Sequence, residues 1–175
     1  MLHMPGSEPM LYDFFVDTPP KRKSDKLDFF GVQVDFGDSA QIFHIGKASA
    51  AVPGTLLGLT IVHEKFGSLP LSIVMEPAVC IAREGTILNK EQAYIFKLLE
   101  PIFSHTIEGQ SLFYSQGKIL TEGDRFINSD FSNFLERVSH EGVSFFYQGD
   151  GAKLIAQNFG EEGFLTEEAL GLYHV

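Results

Sequence analysis

The 175-residue sequence has no tryptophan and a single cysteine, Cys80. One thiol cannot form an intramolecular disulfide or a multi-cysteine metal site, and the apolar setting EPAVCIAREG makes it most simply a small buried side chain. Positive charge is scarce too: 13 lysines and arginines stand against 23 aspartates and glutamates, a formal net charge of −10. Nucleic-acid faces concentrate lysine and arginine, so no nucleic-acid partner is expected; the only basic cluster is KRKSDK, from Lys21 to Lys26. The apolar runs fall far short of a membrane span. The opening MLHMPGSEPM has neither the basic start nor the apolar core of a signal peptide, and no compartment follows from it.

What is present is a core-forming composition. Hydrophobic residues make up 44% of the chain and phenylalanine alone contributes 17 residues, enough for one domain, or part of one, with an aromatic-rich core. Organisation changes near residue 50. In LDFFGVQVDFGDSAQIFHIG, Phe30, Val32, Val34 and Phe36 alternate on one face, a Gly-Asp-Ser turn follows, and QIFHI alternates again, which reads as a hairpin. Before it, YDFFVDTPP reads as the end of a strand stopped by Pro19 and Pro20.

From Thr55 the period becomes helical. LPLSIVMEPAVCIAREG is expected to break at Pro77 and to end at Gly85. NKEQAYIFKLLEPIF sets Ile95, Leu98, Leu99 and Ile102 on one face, with Asn89 as N-cap. NSDFSNFLERVSHEG carries Phe131, Phe134, Leu135 and Val138 at helical spacing. DGAKLIAQNFGEEG and LTEEALGLY give two shorter helices, the second opened at Thr166 in the manner of a capping box. The fold class is α+β: an extended strand and hairpin region over residues 1–50, a helical region over residues 51–175, together one partial domain.

The search for chemistry yields exclusions. AVPGTLLGL opens a helix with Gly-Thr but lacks the longer phosphate-loop spacing, so Pro53 and Gly54 turn the chain and Gly58 lets another backbone come close. His63-Glu64 and His140-Glu141 start like zinc-protease helices, but Gly67 and Ser144 occupy the positions of the second histidine, so no metal site is expected. GQSLF around Ser111 fails as a nucleophile elbow. The pairs Glu161-Glu162 and Glu167-Glu168 read as solvated faces or helix starts rather than a general acid/base pair.

The order of motifs is informative beyond its parts. AVPGTLLGL, FGSLPLSIVMEPAVCIAREG, GDRF, GVSFFYQGDGAKLIA and EGFLTEEALGLY resemble, in order and spacing, the large subunit of gamma-glutamyltransferases, also called gamma-glutamyltranspeptidases, over about residues 11–175. The resemblance implies an N-terminal nucleophile hydrolase, two sheets sandwiched between helical layers. In that family one precursor cuts itself. A threonine freed at the start of the small subunit then attacks a gamma-glutamyl amide such as that of glutathione, with its own α-amine as base and no cofactor. The partner implied is the small-subunit half of the same precursor.

Two departures qualify this. The nucleophile belongs to a Thr-Thr-His segment, and none of Thr18, Thr55, Thr60, Thr86, Thr106, Thr121 or Thr166 stands in one. These residues are therefore expected to contain no catalytic group and to be an internal large-subunit piece, inactive alone; the alternative is a non-catalytic remnant or interaction module. Second, the family's Asp-Phe-Arg-Glu-Thr-Ala-Pro segment, whose arginine holds the glutamyl α-carboxylate, is replaced by a stretch that puts Val16, Asp17 and Thr18 at the Arg-Glu-Thr positions. Valine cannot donate a hydrogen bond to a carboxylate, which leaves another side-chain amide open as substrate.

Overall fold

Residues 1–20 and 24–175 are described by the computed structural model; Lys21, Arg22 and Lys23 of the basic cluster lie outside the described residues. The chain divides into two compact units. One comprises Met1–Asp28, Gly46–Leu71 and Glu141–Val175, the other Phe29–Ile45 and Ser72–His140.

In the second unit the expected hairpin forms from β1 (Phe30–Asp35) and β2 (Ala40–Ile45), antiparallel with Val34 opposite Gln41. Val34 is fully buried and Phe30 and Val32 half-buried, whereas Gly31, Gln33 and Asp35 face outward. Phe36 keeps the phase but lies past the last paired residue and is exposed. Asp35 Oδ1 accepts from the Gly37 amide at 2.8 Å, and Gly37 takes φ 91°, a conformation a Cβ would resist.

Helix α2 (Leu71–Glu84) runs unbroken through Pro77, contrary to the expected break. A proline costs an interior helix one amide donor. The turns beyond it are held from outside: on α6 (Ser129–Glu141) Ser132 Oγ donates to the Val79 carbonyl at 2.9 Å, and Arg83 pairs with Glu136 at 2.9 Å. Val79 is the residue of α2 turned inward, and Cys80, about 100° further round, is exposed rather than buried as expected. Ser132, which makes this contact, and Val138 are buried on α6, Phe134 and Leu135 are half-buried, and Phe131 in the first turn is half-exposed, so the expected face holds from Phe134 on. Gly85 ends α2 as expected, with φ 80°.

Asn89 caps α3 (Lys90–Leu98) in a complete capping box: its Oδ1 accepts from the Gln92 amide at 2.8 Å, and Gln92 Oε1 accepts from the Asn89 amide at 3.0 Å. Asn89→Ala is expected to cost about 1 kcal/mol, read as a lower urea midpoint at unchanged slope. The expected single helix stops at Leu98. Pro101 has no amide hydrogen for the Lys97 carbonyl, and a separate short helix α4 (Glu100–Phe103) follows. Ile95 is exposed. Phe96 turns inward instead, edge-on to Phe103, Phe113 and Phe126 at 5.1–5.9 Å between ring centres. Such pairs add about 0.5–1.5 kcal/mol each beyond area burial. Helix α5 (Ile107–Phe113) brings Phe113, and two-residue ladders not foreseen in the helical region, β3 (Thr86–Ile87) with β6 (Arg125–Phe126) and β4 (Tyr114–Ser115) with β5 (Lys118–Ile119), complete this unit.

The first unit is built from α1 (Thr55–Phe66), α7 (Ser144–Tyr147), α8 (Asp150–Phe159) and α9 (Glu167–Gly171) around Val52, Ala152, Leu165, Ala169 and Leu170. Thr166 Oγ1 accepts from the Ala169 amide at 3.0 Å; since the third residue is alanine, no side chain returns the bond and only half of the expected box exists. Glu161 and Glu162 form surface ion pairs with Lys26 and Lys47 at 2.7 and 2.6 Å.

Candidate functional site

The segment carrying Val16, Asp17 and Thr18 is joined to the residue before Pro53. The Asp17 amide donates to the Val52 carbonyl at 3.1 Å and the Val52 amide to the Asp17 carbonyl at 2.8 Å. This is a single bridge, not the strand end expected over YDFFVDTPP. The next hydrogen-bonded pair on one side would need an amide hydrogen that Pro19 lacks, and on the other side the Phe15 amide donates to Asp13 Oδ1 at 3.1 Å instead. Asp17 Oδ1 accepts from the Thr18 amide at 2.8 Å, the turn-forming role open to a carboxylate before a proline. Val16 is 46% exposed and makes room for nothing in the core.

Upstream of this bridge, Phe14 lies against α1. A Cβ on Gly58 would stand 2.1 Å from Phe14 Cγ, so the close approach at Gly58 is made by a side chain rather than by the backbone expected. Gly54 is hemmed in more tightly, between the Phe14 carbonyl oxygen and the Tyr173 hydroxyl. That hydroxyl donates to the Phe15 carbonyl at 2.6 Å. The Tyr147 hydroxyl donates to the Pro53 carbonyl at 2.6 Å and accepts from the Leu57 amide at 3.4 Å. It thus occupies one of the free amides of the α1 N-terminus, where a bound anion would otherwise go, in keeping with Pro53, Gly54 and Gly58 as scaffold.

Both phenols are held above their ordinary value. Burial raises Tyr147, opposed by the hydrogen bond from Leu57. Desolvation raises Tyr173, with the Asp13 and Asp17 carboxylates adding to it. A raised phenol favours the folded state fully below the unfolded pKa near 10 and loses that contribution as pH rises through the folded value. Stability is therefore expected to fall above about pH 10, with a shallower fall in Tyr147→Phe. At neutral pH that variant, which leaves the Pro53 carbonyl and Leu57 amide without their partner, is expected to lose about 1–2 kcal/mol by urea denaturation.

On the far side of the bridge lies a pocket of about 430 Å³, lined by Thr18, Pro19, Leu27, Ala48, Ala50 and Phe164 among others. Of the three candidate residues Thr18 reaches it. Asp17 is engaged in the bridge and the turn, and Val16 is not among the residues that line it. The alanine wall comes from GKASAAVPG, a run of small residues that the motif search passed over; Tyr147 and Tyr173, near the ends of short helices, carry no local signal at all.

Other candidates are engaged elsewhere. His63 Nε2 lies 2.9 Å from the Leu69 carbonyl. No group of three or more His, Cys, Asp or Glu side chains placed to hold a metal occurs among the described residues. No described helix is long and apolar enough to cross a membrane. In the other unit, an open groove of about 740 Å³ contains Lys97 and Glu100, which pair with each other at 2.5 Å; that hydrogen bond raises the Lys97 ammonium.

The sequence profile of the family Gamma-glutamyltranspeptidase matches residues 12–175. The chain is 30% identical over 127 residues to the glutathione hydrolase proenzyme of Escherichia coli K12, covering 71% of this chain and 22% of that protein. It is 30% identical over 112 residues to the capsule biosynthesis protein CapD proenzyme of Bacillus anthracis, covering 63% of this chain and 21% of that one. The crystal structure of Helicobacter pylori gamma-glutamyltranspeptidase superposes with a TM-score of 0.76 at 27% identity, over 93% of this chain and 46% of that chain. The chain thus spans about a fifth of the length of these curated relatives. A match extending from just before the Val16 segment to the final residue, with the same fold beneath it, places the chain in the gamma-glutamyltranspeptidase family.

Proposed function

We propose that residues 1–175 are a large-subunit part of an amidohydrolase or acyltransferase of this family, a portion of an αββα sandwich completed by the small-subunit half of the same precursor. The observation that carries the reading is the profile match over residues 12–175 together with the superposition on the Helicobacter pylori enzyme. The chemistry would come from a threonine outside these residues. Its hydroxyl attacks the amide carbonyl, its α-amine takes the proton and passes it to the leaving amine, and the acyl-enzyme is released to water or to an acceptor amine. This requires no cofactor. The substrate is a gamma-glutamyl amide such as glutathione or, on the second reading, the amide of an acid without the α-amino-acid group. Val16 favours the second, because the family's carboxylate-binding arginine is absent from its position.

The test uses a precursor in which these residues are joined to a Thr-Thr-His segment. The expected result is self-cleavage into two polypeptides on a denaturing gel and turnover of an amide panel, both abolished by Thr→Ala at the new N-terminus. A precursor that stays intact and forms no acyl-enzyme would leave the non-catalytic module as the correct description.

A further inference from the structure

We infer that residues 12–17 form a strap along α1, latched at one end by two stacked phenols, which opens as a whole while the rest of its compact unit stays folded, a device that goes beyond the amidohydrolase reading and does not depend on it. The strap runs antiparallel to the helix. Tyr12 meets the last turn of α1, edge-on to Phe66 at 6.1 Å between ring centres, with the Lys65 ammonium 5.0 Å from the centre of the Tyr12 ring. Phe14 covers Gly58 in the middle of the helix, and its carbonyl oxygen lies at Gly54, before the first turn. Asp17 then closes the run with its bridge to Val52. Tyr12 and Phe14 are half-buried, whereas Leu11 and Phe15 are 80% and 79% exposed, so the strap is held by one face.

The latch is a closed ring of contacts. The Tyr173 hydroxyl donates to the Phe15 carbonyl at 2.6 Å, the Tyr173 and Tyr147 rings stack with centres 6.0 Å apart and planes 18° apart, and the Tyr147 hydroxyl donates to the Pro53 carbonyl at 2.6 Å. Pro53 follows Val52, which returns to the strap through Asp17. Both sides of the bridge are thus fixed from one pair of rings, supplied by the end of α7 and by the chain just past α9. Away from the latch the backbone of the strap has little to hold it. The bridge is a single pair, and the Phe15 amide turns back to Asp13 Oδ1 at 3.1 Å instead of joining a ladder. A segment with few backbone hydrogen bonds and exposed apolar side chains on its outer face belongs to the low end of local stability. The core cluster of the same unit, Val52, Ala152, Leu165, Ala169 and Leu170, comes from outside the strap, so it can persist when the strap leaves. Release of the latch therefore moves Val16 and Asp17 together, and with them Thr18 at the edge of the pocket of about 430 Å³.

Native-state hydrogen exchange on the 175-residue chain provides the test, with the Asp17 and Val52 amides as reporters, since each donates to the other's carbonyl. In the parent chain both are expected to exchange through one opening, with equal protection and a weaker urea dependence than the α8 amides, because strap opening exposes less surface than unfolding of the unit. Tyr173→Phe removes a hydrogen bond that only the closed strap makes, so it should speed both reporters by one factor, about threefold to tenfold. Gln157→Gly, at an exposed position of α8, should do the opposite. It should speed the α8 amides about twofold to fivefold and leave the reporters at the parent rate, because α8 is folded whether the strap is open or closed. Reporters that match the α8 amides in protection and urea dependence would mean that the strap opens only with the whole unit, which overturns the inference. Unequal protection of Asp17 and Val52, or reporter rates unmoved by Tyr173→Phe, would overturn it as well. The parent-chain comparison decides the matter even where that variant fails to fold.

Discussion

Gly54→Ala is expected to destabilise the chain by about 2–4 kcal/mol, from overpacking in a filled site together with one weakened hydrogen bond. A Cβ on Gly54 would lie 1.9 Å from the Tyr173 hydroxyl oxygen, 2.3 Å from the Phe14 carbonyl oxygen and 2.5 Å from Tyr173 Cζ. The two neighbours differ in what they can give. Tyr173 can swing aside, but only by releasing the Phe15 carbonyl to which it donates at 2.6 Å. The Phe14 carbonyl is backbone three residues from the Asp17–Val52 bridge, so moving it disturbs the segment that carries Val16. A double-mutant cycle separates the parts. In a Tyr173→Phe background the closest atom is gone, and the cost of Gly54→Ala should shrink by about 1 kcal/mol without vanishing. Urea midpoints of the four proteins provide the measurement. A loss below about 0.5 kcal/mol in the parent background, the range of an ordinary surface change, would mean that Gly54 is not enclosed as described.

Val16→Arg should raise kcat/KM for gamma-glutamyl substrates about tenfold to a hundredfold in a precursor able to form the acyl-enzyme, corresponding to a charge-assisted contact of about 1.5–3 kcal/mol. The substitution is well placed as a test. Val16 is 46% exposed and outside the core cluster, so the larger side chain should leave stability within about 0.5 kcal/mol of the parent. The gain should be missing for a glutaryl analogue, which keeps the scissile amide and lacks the α-amino-acid group. Equal gains on both compounds would attribute the effect to general electrostatics. No gain on either would place the carboxylate-binding position elsewhere.

Several elements are fixed by residues close to one another in the chain. The β1–β2 hairpin is legible because its alternation, its Gly37 turn and its register act over neighbouring residues. The caps at Asn89 and Thr166 and the stop at Gly85 are legible because each satisfies backbone groups within one turn. The family, too, was readable, since a series of individually weak motifs in fixed order is improbable by chance. The absence of a side-chain donor at Val16 is a property of the residue itself and needs no structure.

The remainder depends on partners far away in the chain. Helix α2 carries Pro77 without breaking, and its later turns contact Ser132 and Glu136, more than 50 residues away in the chain. That Ser132 is buried against the Val79 carbonyl while Phe131 and Cys80 are exposed is not visible in helical spacing alone. The strand expected over YDFFVDTPP shrank to one bridge, with Pro19 lacking the next donor on one side and the Phe15 amide held by Asp13 on the other. The pocket joins residues 18 and 164, and the Tyr173 hydroxyl reaches the Phe15 carbonyl across 158 residues of chain. By itself the sequence determined the hairpin, the caps, the family and the lack of a side-chain donor at position 16, because these depend on bonded neighbours, motif order and residue type. Only the tertiary structure decided which faces are buried, what encloses Gly54 and what lines the space at Thr18, because packing selects among side chains that local periodicity treats as equivalent.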